Sequence, residues 1–166
     1  IAPFRFEECA RDVIDRLESM ISSQQATIQM KIPDPETLVN GDRFYWTQIL
    51  FNLIENALKE NPKTPLKVTI GCRQKKNGPV EIYVADDGMG IPSADLPFIF
   101  RRFYRVEKHH SQHIVKGTGL GLSIVKRAVE AHQGTISVSS VPGKETRFTI
   151  TLPPEAAASD PAPGQE

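Results

Sequence analysis

A chain of 166 residues and 18.5 kDa has room for one domain with a proper core, since domains of about 100 to 150 residues are the commonest size. Its 20 basic and 20 acidic residues cancel to a net charge of zero, which argues against a main role on nucleic acid or an anionic membrane, because such binders carry a basic excess. No apolar run approaches the roughly 18 residues that a membrane span needs, and no basic-then-apolar leader opens the chain. Cys9 and Cys72 stand far apart without metal-ligand spacing, as incidental thiols in a reducing, cytoplasmic compartment would. The first residue is Ile rather than Met, as in a piece excised from a longer protein.

In chain order, Cys9, Val13, Ile14, Leu17, Met20 and Ile21 recur at helical spacing between Phe6 and about Gln25 and predict one amphipathic helix. "TIQMKIP" alternates like a half-buried strand, "PDPET" is a turn, and a short strand follows at Leu38 to Val39. Asp42 is placed to cap a long helix that runs to about Asn61, where Pro62 stops it. Leu66 to Gln74 and Val80 to Asp86 read as a hairpin around "KKNGP". Residues 87 to 119 are mostly irregular apart from a short helix around Leu96 to Phe100, and a loop of that length is uncommon unless it has a function. Helical periodicity returns from Leu120 to His132, and "GTISVSS" and "ETRFTITLP" close the fold as a second hairpin around "VPGK". The expected domain covers residues 1–153, with 154–166 as a disordered tail poor in bulky apolar groups. Hairpins rather than repeated βαβ units predict an α+β fold, a layer of helices on a mixed, mostly antiparallel sheet.

Three segments carry chemistry. On "QILFNLIENALKEN" the residues Gln48, Asn52, Glu55, Asn56 and Lys59 share one helix face. That pattern alone suits any surface helix. Asn at i and i+4 adds amide oxygens, hard neutral ligands of the kind Mg²⁺ accepts beside phosphates and water. "VEIYVADDGMGIP" leads a strand into Asp86, Gly88 and Gly90. Glycine is costly unless the backbone must bend or something must approach closely, and an ionised carboxylate only accepts hydrogen bonds. Asp86 would therefore select a partner that presents an amino group, as adenine does at its six position, where guanine offers a carbonyl and would be repelled. In "KGTGLGL" the glycines Gly117, Gly119 and Gly121 fit neither a dinucleotide fingerprint nor a phosphate-binding P-loop, because Lys116 precedes the glycines and Leu122 stands where a third glycine is needed. What remains is a glycine loop opening a helix, whose free N–H groups suit phosphate.

In this order, "NLIENALK", "DDGMGIP", "FIFRRFYRV" and "GTGLGL" resemble the N box, first glycine box, phenylalanine box and second glycine box of the catalytic, ATP-binding domain of bacterial sensor histidine kinases. That superfamily also holds gyrase, mismatch-repair ATPases and a dimeric heat-shock chaperone. The resemblance spans Phe6 to Leu152. It implies a two-layer α/β sandwich of the Bergerat type with a flexible ATP lid, and it implies ATP and Mg²⁺ as ligands. Asn56, with Asn52 beside it, would hold Mg²⁺ and the phosphates, helped by Lys59. Asp86 would take the adenine amino group, with Gly88, Gly90 and Ile91 closing on the base. Tyr104 and Arg105 would flank the nucleotide, while Lys116, Gly117, Thr118, Gly119, Leu120, Gly121 and Leu122 would form the lid hinge and phosphate loop.

At one position the chain departs from that pattern: Glu60 stands where the family usually has an aromatic residue, so weaker nucleotide binding is expected. The superfamily's hydrolytic branches carry Glu four residues before the metal Asn as a general base. Here that position is Asn52, which takes no proton near neutral pH. Transfer would then need a histidine supplied by a dimerisation domain, with a response regulator downstream, and no histidine of this chain has the phosphoacceptor's context. A nucleotide-sensing or protein-binding module on the same fold and a gyrase-type ATPase are the alternatives. "EKHHSQH" is read as a solvated lid rather than a zinc site, and "FRRFYRV" as a lid anchor rather than a single-strand binder.

Overall fold

The computed structural model describes residues 1–105 and 121–158. The strands are β1 (Ala2–Arg5), β2 (Thr27–Lys31), β3 (Leu38–Gly41), β4 (Lys67–Gln74), β5 (Val80–Asp86), β6 (Thr135–Val141), β7 (Glu145–Leu152) and β8 (Ala157–Ala158). The helices are α1 (Phe6–Arg16), α2 (Glu18–Ser23), α3 (Arg43–Lys59) and α4 (Gly121–Ala131), with single 3₁₀ turns at Leu96–Phe98 and Pro154–Ala156. Five strands form one sheet in the order β2-β4-β5-β7-β6, in which only β2 and β4 run parallel. Three more form a small sheet in the order β1-β3-β8. This is the expected α+β architecture.

Alternation decides which sheet face meets the helices, because successive side chains on a strand point to opposite sides. Ile70, Ile82 and Ile150 are paired in register or through their neighbours across β4, β5 and β7, and all three are fully buried. The opposite face carries Gly71, Tyr83 and Thr149 in matching positions, and Arg147 stacks over the Tyr83 ring at 4.2 Å. On α3 the buried stripe Trp46, Ile49, Leu50, Leu53, Ile54, Ala57 and Leu58 lies at helical spacing, and α4 adds Val125, Ala128 and Val129. Truncating one of these buried leucines to alanine would cost about 2–5 kcal/mol. The burial fixes which side of α3 remains for polar work.

Asp42 caps α3 as expected, its carboxylate accepting from the Phe44 N–H at 2.9 Å. His132, at the far end of α4, accepts from the Asp42 N–H through Nε2 at 3.0 Å and meets the Ala128 carbonyl through Nδ1 at 2.8 Å. Because a carbonyl only accepts, Nδ1 carries the proton. The imidazole is thus a neutral tie between the two helices.

Two expectations need correction, and one further strand is present. The helix from Phe6 bends at Leu17, whose N–H is shared between the Val13 and Ile14 carbonyls at 3.1 Å. It ends at Ser23 because Gln25 adopts a left-handed φ of 49° and Ala26 N–H reaches back to Ile21 O, a terminus usually built with glycine. The first residues, without a period-two pattern, nevertheless pair with β3 as a strand. Residues 154–158, expected in a disordered tail, make a 3₁₀ turn and then two rungs on β3, with Ala156 buried. Residues 159–166 lie outside the described residues.

Candidate functional site

α3 presents Asn52, Asn56, Lys59 and Glu55 on the side left free by its buried stripe, all partly exposed. Lys59 Nζ pairs with Glu55 at 3.0 Å, an i,i+4 contact worth only a few tenths of a kcal/mol in roughly such exposure. The ammonium can leave it for a phosphate at little cost. Gly121 opens α4 directly against this face: a Cβ built there would stand 3.4 Å from Asn52 Oδ1. Helix N-terminal amides and the α3 amides are thereby brought together. Leu122 follows, partly buried and packed on the core. Lys116, Gly117, Thr118, Gly119 and Leu120 lie outside the described residues, as do His109, His110 and His113.

β5 delivers Asp86 with 6% of its surface exposed. Oδ1 accepts from the Gly88 N–H at 3.0 Å and from Asn61 Nδ2 at 3.2 Å. Burial pushes the carboxyl up from 3.8 to about 6, against the pull of those two hydrogen bonds, and the negative charges of Asp87 and Glu145 add to the rise. Asp87 behaves in the opposite way. Its slight burial disfavours ionisation, but the Lys67 N–H at 2.7 Å and the Lys63 ammonium at 3.0 Å outweigh it and hold the carboxyl below its ordinary value. Adjacent carboxylates thus divide the work. Asp87 pins the turn to β4, and Asp86 stays buried beneath the turn with both of its hydrogen bonds on Oδ1.

The glycines of the turn have distinct reasons. At Gly88 a Cβ would sit 1.9 Å from Asn61 Oδ1, so only a residue without one fits beneath that amide. Gly90 has a φ of +75° and lies against Val141 O and Pro142. Ile91 N–H donates to Ser140 Oγ at 2.7 Å, and Gly143 N–H donates to Met89 O at 2.7 Å. The tip of the β6–β7 hairpin therefore braces the acidic turn. In register, Asp86, Thr146 and Ser140 form one row across β5, β7 and β6, and Thr146 is 5% exposed.

Tyr104 and Arg105 close the first described block. Tyr104 donates its hydroxyl to Asp95 and tilts against Phe98, with ring centroids 5.9 Å apart. Phe100 meets Phe148 edge to face at 6.0 Å, and Arg101 covers the Phe98 ring at 4.5 Å. Phe100 thereby ties this segment to β7, while the lid that "FRRFYRV" is read to anchor lies outside the described residues. Glu60 is exposed at the end of α3.

Sequence reasoning missed Asn61, Ser140 and Thr146. Asn61 is 7% exposed and was read only as the last residue before Pro62. A buried amide must place four hydrogen-bonding capacities, but the burial of Asn61 becomes visible only once the fold brings the turn after β5 to the end of α3. Ser140 and Thr146 become visible only once strand register is known.

The Histidine kinase-, DNA gyrase B-, and HSP90-like ATPase family matches residues 41–156. The chain is 40% identical over 142 residues to the sensor histidine kinase WalK of Bacillus subtilis (strain 168), covering 85% of this chain and 23% of that protein. It is 38% identical over 148 residues to the sensor-like histidine kinase SenX3 of Mycobacterium tuberculosis (strain ATCC 25618 / H37Rv), covering 87% of this chain and 35% of that protein. The chain thus spans well under half the length of these relatives. Among solved structures, the nucleotide-free catalytic domain of the histidine kinase ThkA superposes with a TM-score of 0.78 at 26% identity, covering 93% of this chain and 97% of that one. Full-length ShkA in complex with AMPPNP superposes with a TM-score of 0.80 at 26% identity, covering 96% of this chain and 32% of that one. The chain belongs to the histidine kinase-, gyrase B- and HSP90-like ATPase family, as a catalytic ATP-binding domain of the sensor histidine kinase kind.

Proposed function

We propose that this domain, comprising residues 1–158, binds Mg-ATP and presents its γ-phosphate to a histidine on a dimerisation domain outside this sequence. A response regulator then receives the phosphoryl group from the full-length kinase. The observation that carries the reading is Asp86. It is a buried carboxylate whose described hydrogen bonds both go to Oδ1, so Oδ2 keeps its accepting capacity for the adenine amino group.

The fit of the remaining residues supports the same ligand. Among the described residues there is no group of three or more His, Cys, Asp or Glu side chains that would hold a metal by itself. An all-protein cage is not needed, since Mg²⁺ keeps several waters and takes further ligands from substrate phosphates. Asn56 supplies one amide oxygen and Asn52 the second, with Lys59 released from Glu55 onto the phosphates. Bound there, the ion neutralises charge that develops on the transferred group. Gly88, Gly90 and Ile91 close the base pocket, Gly121 and Leu122 start the helix that faces the phosphates, and Tyr104 and Arg105 hold the segment leading to Lys116, Gly117, Thr118, Gly119 and Leu120. The domain works in the cytoplasm, without nucleic acid and without membrane contact of its own. Among the described residues no helix is long and apolar enough to cross a membrane.

Competitive displacement of a fluorescent ATP analogue tests this. Micromolar to millimolar Mg-ATP binding is expected, and no binding at all would instead support a degenerate module on this fold. Incubated alone with γ-labelled ATP, the chain should remain unlabelled and release little phosphate. Stoichiometric label on a histidine would overturn the assignment of the phosphoacceptor to another domain, and rapid phosphate release would favour a gyrase-type ATPase.

The exposed Glu60 leaves one wall of the base pocket without an aromatic ring. Glu60→Tyr should tighten ATP by about 5- to 10-fold, in line with about 1–1.5 kcal/mol for a well-placed aromatic contact. Calorimetric titration of both proteins reads this directly, and unchanged or weaker binding in the variant would show that the wall is supplied elsewhere.

A further inference from the structure

Among the described residues, the Asn61 side chain hydrogen-bonds both the carboxylate and the turn of the proposed base site. Its Nδ2 donates to Ala57 O at 2.7 Å and to Asp86 Oδ1 at 3.2 Å, while its Oδ1 accepts from Met89 N–H at 2.8 Å. A backbone carbonyl only accepts and a backbone N–H only donates, so these partners fix which end of the amide is which. Its own carbonyl accepts from Gln24 Nε2 at the end of α2. The residue thus joins α2, α3 and the turn after β5, and it lies over Gly88 so closely that no Cβ fits between them.

We propose that Asn61 is a positioning residue for nucleotide recognition: its amide holds Asp86 by Oδ1, so that Oδ2 faces the adenine amino group, and its oxygen holds the Gly88–Met89 backbone at the base. This rests on the reading of Asp86 as the base-binding carboxylate. Two donors on one oxygen settle the rotation of a carboxylate that otherwise has freedom about its last bond. Without the Asn61 amide, only Gly88 N–H would direct it. The neighbouring charges that bear on Asp86 are Asp87 in the turn and Glu145 on β7, and Asp87 is neutralised by Lys63. Neither donates to Asp86, so neither substitutes for Asn61.

Asn61→Asp tests the idea with almost no change of shape. The new carboxyl can accept from Met89 as the amide oxygen does. When protonated it can donate its single hydrogen to Asp86 at the expense of the Ala57 O contact, but when ionised it sets two negative charges about 3 Å apart, which cannot both remain charged without strong repulsion. Adenosine is the probe, because it has no phosphate to titrate. In the wild-type chain adenosine binding should rise with pH and then stay level. In N61D it should acquire an alkaline limb, falling by about 10-fold or more as the shared proton is lost, and the fall should be similar for adenosine and ADP. A residue that merely stabilises the fold would show the alkaline limb only where thermal melts of ligand-free N61D show unfolding at that pH, and a flat alkaline profile in the folded variant overturns the proposal.

Two controls keep the outcomes apart. If Asp86→Asn binds adenosine like the wild type, the base-site reading and this proposal both fall. If D86N loses binding while N61D shows no alkaline limb, only the role of Asn61 falls. Should N61D not fold, the wild-type Asn61 side-chain amide resonance decides: it must titrate together with Asp86 and shift on adding adenosine. Independence from either change overturns the proposal.

Discussion

Asp86→Asn should weaken ATP binding by about 100-fold or more, roughly 3 kcal/mol, the upper range for a hydrogen bond to a charged group in a buried site. The direction follows from the geometry rather than from charge alone. An amide at position 86 has one oxygen and one NH₂, and the Oδ1 site is faced by two donors, Gly88 N–H and Asn61 Nδ2. The new oxygen must therefore stay there, which turns the NH₂ toward the ligand. Two donors then confront one another at the adenine amino group, whereas the guanine carbonyl would be accepted. Calorimetry with ATP and GTP should show the ratio of affinities moving toward GTP, and unchanged ATP affinity would remove the foundation of the functional reading.

The pH dependence of the same carboxyl should act on stability and on binding with opposite signs. In the folded chain its pKa is raised from 3.8 to about 6 by burial, so between these values the folded state holds a proton that the unfolded state has released. Stability therefore falls as pH rises through this window. A rise of about two units corresponds to about 3 kcal/mol, lost once Asp86 is ionised in the folded protein. Adenosine binding needs the ionised acceptor and should strengthen through the same pH range. Asp86→Asn, which avoids burying the charge, should melt at a higher temperature than the wild type at pH 8, and the advantage should vanish near pH 4. Thermal melts and adenosine titrations at matched pH check both halves. An apo protein whose stability climbs from pH 4.5 to 7 would contradict the sign for Asp86, since Asp87, whose carboxyl is lowered, changes its contribution only at more acidic pH.

Much of the fold was legible because its cues are local. The Asp42 cap, the apolar stripe of α3, the Asn-Gly turn between β4 and β5 and the closing hairpin are each written within one short continuous stretch of chain, and the structure has them all. Two edge elements were not legible. β1 and β8 consist of four and two residues, too short for periodicity, and they exist because the central β3 offers them hydrogen-bonding groups. The site divides in the same way. The resemblance carried Asn52, Asn56, Asp86 and the glycines, whereas Asn61, Ser140 and Thr146 owe their positions to contacts between distant segments, such as Asn61 with Asp86 or Ser140 with Ile91. No spacing rule along the chain encodes those meetings. The kink at Leu17 was hidden because an apolar pattern of helical period persists through a bend.

The contact between Gly143 N–H and Met89 O gives the β6–β7 turn an unexpected rigidity requirement. Exposed hairpin tips are ordinarily the places where loops can be lengthened, tags inserted or chains permuted. Here the tip serves as the floor beneath Gly90, so added residues would withdraw a support rather than decorate a surface. Tolerance to grafting should thus be sought at the "KKNGP" turn between β4 and β5, which makes no such contact with the acidic turn.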